Sequence, residues 1–147
     1  MTANQNPIFT LTPDIQWGSV DDNSGATAGP MLTANTAMDG TGFVTTVFTA
    51  GANGSFVNQL IVKPVGTTGG ATVLRVFINN GSTNGTQANN VLYTELTIPS
   101  ITASATSALQ QLAIPLNFAL PGGYKINCTL GTTITAGVRV MVIGGDY

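Results

Sequence analysis

The chain has 147 residues, of which 7% are charged where about 25% is usual, with four Lys or Arg against six Asp or Glu and a formal net charge of −2. Four basic residues supply no positive stripe to neutralise phosphates, which argues against nucleic-acid binding, and a histidine count of zero removes Ser-His-Asp, Cys-His and His-metal chemistry. One domain of this length buries roughly 68–70% of its unfolded-chain surface, so a core is expected without a disulfide.

Met1 to Pro7 has neither the basic nor the apolar region of a secretory signal, and no apolar run approaches the roughly 20 residues needed to cross a bilayer. Synthesis in the cytoplasm without a signal peptide, and no membrane partner, is the expectation. Pro7 and Pro13 remove two backbone donors, which favours an extended or edge segment over a central strand. Ile8, Phe9, Leu11, Ile15 and Trp17 are nevertheless too apolar for a simple tail and must pack on something, which is the parent sandwich, a sister subunit or a different protein. Residues 1–20 therefore read as an extended N-terminal arm that reaches a neighbouring subunit or another protein, and residues 21–147 as a single β-sandwich domain. Ile8, Phe9, Leu11, Ile15 and Trp17 are the candidate contact residues.

Asp21 to Pro30 is a turn cluster. It lacks the spaced acids and closing glutamate of a calcium loop, so it reads as solvated, and no metal or other cofactor is expected. Met31 to Thr36 is a candidate short strand. Phe43 to Ala50 is a strand with apolar residues on both sides, and Gly51-Ala-Asn-Gly54 is a tight connection of the Asn-Gly hairpin type leading into a long strand from Ser55 to Val65.

Ala71 to Asn80 and Val91 to Pro99 are rich in β-branched and aromatic residues, and the ten residues between them are polar or turn-forming. They read as an antiparallel hairpin. Folding about Gly85 sets Arg75 opposite Glu95, Phe77 opposite Tyr93 and Val73 opposite Thr97, with Leu74, Val76 and Ile78 against Leu96, Thr94 and Leu92 on the other face. A one-residue slip would bury the charges and expose the leucines, so Arg75 and Glu95 are the candidate cross-strand pair.

Ser100 to Ser107 reads as loop or a single helical turn. Leu112, Ile114, Leu116, Phe118 and Leu120 then alternate along one face, while Pro115 on the other marks an edge strand or a bulge. In Tyr124 to Leu130 the lone Cys128 falls on the apolar face, as a buried structural thiol, with Lys125, Asn127 and Thr129 opposite. Ala136 to Ile143 is the last strand. No ten-residue segment has a helical period. Eight or nine short strands with glycine turns read as an all-β, antiparallel β-sandwich of jelly-roll type, ahead of an immunoglobulin-like one because no Cys…Trp…Cys core exists. Phosphate loops, G-x-S-x-G elbows and H-E-x-x-H motifs are absent, and the six acids offer no spacing that singles out a catalytic pair, so the chain does not read as an enzyme.

Thr33-Ala-Asn-Thr-Ala-Met-Asp-Gly-Thr-Gly42, Val47-Phe-Thr-Ala-Gly-Ala-Asn-Gly54, Arg75-Val-Phe-Ile-Asn-Asn-Gly81, Leu116-Asn-Phe-Ala-Leu-Pro121 with Gly123-Tyr-Lys-Ile-Asn127, and Gly144-Gly-Asp-Tyr147 resemble small virion structural proteins of tailed bacteriophages. The resemblance covers most of the chain after residue 30 and rests on turns and strands. It implies a jelly-roll head decoration or cement protein, with the major capsid protein and its own copies, as a homotrimer, for partners. It also implies a place on the outer surface of the capsid after synthesis in the host cytoplasm. The alternative from another class is a receptor- or carbohydrate-recognition module on a phage tail or head fibre, with Trp17, Tyr93 and Tyr147 as the aromatics available to it.

Overall fold

Leu112, Ile114, Leu116, Phe118 and Leu120 turn to one side of one strand, and their alternation with more exposed neighbours is the pattern from which the fold is built. The structure, a computed structural model, describes residues 9–18 and 30–147. Eight strands follow in order: β1 (Thr12–Trp17), β2 (Thr45–Thr49), β3 (Ser55–Pro64), β4 (Thr72–Asn79), β5 (Asn90–Ile98), β6 (Leu112–Leu120), β7 (Lys125–Leu130) and β8 (Val138–Asp146). A single 3₁₀ turn, Gln87–Asn89, precedes β5.

The strands form two four-stranded antiparallel sheets, β1-β8-β3-β6 and β2-β7-β4-β5. Four of the pairings are nested: β1 with β8, β2 with β7, β3 with β6, and β4 with β5. The chain is thus one long hairpin whose tip is β4–β5. Rolling that hairpin adds β3·β8 and β4·β7 and splits it into two facing sheets, which is the jelly-roll architecture. Val57, Leu60, Val62, Val138, Val140 and Val142 from one sheet meet Val47, Phe48, Leu74, Val76, Ile126 and Leu130 from the other in the core. Cys128 is fully buried among them.

Several expectations change. Thr12–Trp17 is not a free arm: it pairs along its length with β8, so the sandwich begins before residue 20, with β1 as an edge strand. Pro13 is tolerated because only one side of an edge strand needs a ladder. Ile8 and Asp21 to Gly29 lie outside the described residues. Met31 to Thr36 is not a strand; it makes isolated bridges, Met31 to Val138 and Ala34 to Leu130. Gly51–Gly54 does turn, with Gly54 N–H donating to the Gly51 carbonyl at 2.9 Å, but it links strands of different sheets and closes no hairpin. At Gly54 φ is +92° and a Cβ would lie 2.7 Å from the Leu120 carbonyl oxygen, so only glycine fits the turn. Pro115 lies on β6, the other edge of its sheet, next to a bulge in which three steps of β6, from Phe118 to Pro115, span two of β3, from Val57 to Gln59.

The register of β4 and β5 runs Val73 to Thr97, Leu74 to Leu96, Arg75 to Glu95 and Val76 to Thr94. It then shifts. Phe77 faces Leu92 and Ile78 faces Val91, not Tyr93 and Leu92, because a bulge leaves Tyr93 as the extra residue. The ring of Tyr93 packs edge-to-face on Phe118 of β6, at 5.2 Å between centroids, and so pins β5 to the other sheet.

Candidate binding surface

The outer faces of the two sheets differ. Over β2-β7-β4-β5 the chain supplies its own cover. Asn35 N–H donates to the Leu130 carbonyl at 2.6 Å, and Asn35 Nδ2 donates to the carbonyls of Thr41 and Phe43, both at 2.7 Å, which shapes residues 31–43 into a lid. Gly40 packs on Asn90 so closely that a Cβ would lie 2.6 Å from the Asn90 Cβ, and its φ is +78°. Beneath lie Asn79, Asn90 and Asn127, all buried. Asn79 and Asn127 donate to Asn90 Oδ1 at 3.0 and 3.2 Å, Asn127 also donates to Asn84 Oδ1 at 3.2 Å, and Thr46 Oγ1 donates to Asn127 Oδ1 at 2.9 Å. Asn90 Nδ2 reaches the Gly40 and Thr86 carbonyls at 3.1 and 3.0 Å, tying both covering loops to the sheet. Burial of such amides is tolerable because each finds partners. Asn127 and Thr129, which alternate opposite the apolar face of their strand, are buried as well.

Arg75 and Glu95 belong to this covered side. Arg75 Nε donates to Glu95 Oε1 at 2.9 Å, and its Nη1 donates to the Asn35 carbonyl at 3.1 Å, so the guanidinium clamps the lid as well as pairing two strands. Phe77, one row along, is fully buried under the same cover.

The outer face of β1-β8-β3-β6 is more open. Val138, Val140 and Val142 turn inward and leave Arg139, Met141 and Ile143 outward. The register aligns Trp17, Met141, Ile61 and Ala113 in one row across the four strands, and Ile15, Ile143, Gln59 and Pro115 in the next. Trp17 is 54% and Ile15 52% exposed, and Leu11 and Phe9, just before β1, are 83% and 74% exposed. At the end of the rows Lys63 and Arg139 stand opposite each other, both exposed. Trp17, Ile61, Lys63, Gln111, Arg139 and Met141 line a shallow groove of about 460 Å³.

Of the residues singled out in the sequence, Phe9, Leu11, Ile15 and Trp17 thus gather along one edge of one face, while Arg75 and Glu95 lie on the opposite side of the molecule. The contributions of Ile61, Met141 and Ile143 were not anticipated. Their signal is that Gln59 to Lys63 and Val138 to Ile143 carry apolar residues at odd and even positions alike, the mark of a strand with two apolar faces.

Among the described residues no three His, Cys, Asp or Glu side chains gather into a metal-binding group, and no helix is long and apolar enough to cross a membrane. No protein-family model matches the chain, and comparison with curated proteins gives no match either.

Proposed function

We propose that the protein is a non-enzymatic virion structural protein, a decoration or cement subunit on the outer surface of a phage head, docking by protein–protein contacts through the open face of β1-β8-β3-β6. The observation that carries this reading is the contrast between the faces: one sheet is covered by the chain's own loops, whereas the other presents Trp17, Ile15, Met141 and Ile143 with Leu11 and Phe9 beside them. Four strands about 4.8 Å apart and six residues long make a face of roughly 400 Å². That is the size of the largest apolar patch on an ordinary monomer, and such patches are often functional.

Two such faces stacked together would bury about 800 Å² in total, short of the 1,200–2,000 Å² of a stable complex. Phe9 and Leu11 must therefore be engaged too, which suits a partner wrapping the β1 edge better than simple back-to-back pairing. Assembly as a homotrimer is part of the proposal. Six acidic and four basic residues spread over an accessible surface of 7752 Å² put little repulsion between copies.

The test is to mix purified protein with heads lacking it, sediment them, and image the product by cryo-electron microscopy. Many copies per head with the β1 edge buried is the expected result. A handful of copies at the tail, or binding to host glycans without binding to heads, would replace decoration with receptor recognition.

A further inference from the structure

Half of the chain's basic residues stand side by side. Lys63 and Arg139 are register partners in β3 and β8, both on the open face and both exposed. Like charges directly opposite each other across strands destabilise a sheet. The ion pair among the described residues is Arg75–Glu95, on the other side of the molecule, so among those residues no acid pairs with Lys63 or Arg139 to offset that repulsion. The two cations close off the apolar row of Trp17, Met141 and Ile61, with Gln111 beside them. Lys63 also borders a second hollow walled by Ser104 to Leu109.

We propose that this end of the sheet binds an acidic segment of the docking partner, its carboxylate seated between Lys63 and Arg139 and a neighbouring apolar side chain laid in the groove over Ile61 and Met141 against Trp17. The inference rests on the docking reading above and names the chemistry of the partner. Arg offers a carboxylate a planar, two-pronged donor and Lys a mobile point charge, so the pair holds one carboxylate and relieves its own repulsion. Continuity of the surface decides between a protein segment and an acidic sugar. Beyond the groove the face continues through Ile15 and Ile143, which apolar side chains cover and a hydroxyl-rich sugar leaves wet.

The probes are the peptide acetyl-Leu-Glu-Leu-Asp-Leu-amide, the same peptide with lysine at both acidic positions, and an oligogalacturonate, each titrated into ¹⁵N-labelled protein. The acidic peptide alone should shift the Trp17 indole and the amides of residues 61–63 and 139–141. Its affinity should fall about tenfold in Lys63→Glu or Arg139→Glu, and again between about 0.05 and about 0.5 M salt. Equal binding of the lysine peptide, shifts confined to other surfaces, or binding of the saccharide alone would overturn the proposal. In the head-binding assay the double variant, checked for fold by circular dichroism, should lose at least tenfold in affinity. If wild-type protein does not bind heads, the decoration reading fails and the peptide titration still judges this site; if wild type and double variant bind equally, the acidic-segment proposal fails and decoration stands.

Discussion

Asn127 shows how much rests on single amides. Its side chain is fully buried and joins Asn84, Asn90 and Thr46, which come from one covering loop, the start of β5 and the adjacent strand β2. Asn127→Ala leaves buried polar groups without a partner, each worth about 1–3 kcal/mol, and should destabilise the protein by about 2 kcal/mol in urea unfolding. Cys128, the next residue, is buried on the opposite side of the strand, where desolvation pushes its thiol far above the ordinary value of 9.0. The folded state therefore keeps its proton at a pH where the unfolded chain has lost it. Stability from this group is constant below about pH 8 and falls as pH rises past about 9, by at most about 1.4 kcal/mol per pH unit. Cys128→Val should remove that part of the alkaline slope, measured by denaturant unfolding across pH 7–11. A thiol reagent should label wild-type protein only as fast as it unfolds.

Strand pairs tell which contacts were legible in advance. Arg75 opposite Glu95 could be read because charge and apolar face agree on one register from Val73 to Val76. Past Val76 the pattern fails at the bulge, where Tyr93 is the extra residue and packs on Phe118, a residue on the other sheet. Nothing local encodes that contact. Alternation put Asn127 and Thr129 on the side of β7 opposite Cys128, but it reports which residues share a side, not whether a loop later covers it. Glu95 is 40% exposed at its side chain, so Glu95→Gln should cost less than about 1 kcal/mol. Arg75→Ala should cost more, about 1–3 kcal/mol, because the Arg75 side chain is only 12% exposed and its guanidinium also holds the lid at Asn35. The two variants compared in one denaturation series separate pairing from clamping.

For the whole molecule, the nested hairpin makes nearly every strand contact long-range except that of β4 with β5. A jelly roll was readable from strand count and spacing, but the order of strands in each sheet was not, because it is set by how the hairpin rolls. Refolding should accordingly take milliseconds to seconds, as in other sandwiches of high contact order. Truncation tests the placement of the N-terminal residues. Deleting residues 2–10 should leave β1 and the circular dichroism spectrum intact while weakening head binding. Deleting residues 2–16 strips most of β1 from β8 and should lower the thermal midpoint. Sedimentation at tens of micromolar should show a species larger than a monomer, and a strictly monomeric protein would count against the trimer.

The antiparallel pairing of β1 with β8 also has a mechanical direction. Thr12 lies beside Asp146 at one end and Trp17 beside Met141 at the other. A load applied between Phe9 and Tyr147 meets the ladder at its end and peels it one hydrogen bond at a time. A load between Gly18 and Tyr147 runs along the strands and strains the whole ladder together. A partner gripping the Trp17 end thus pulls in the direction in which β1 resists as a unit. Force spectroscopy with handles at residue 18 should record higher rupture forces than with handles at residue 9, and a subunit seated by that end would stay folded under an outward pressure that would unzip it from the other.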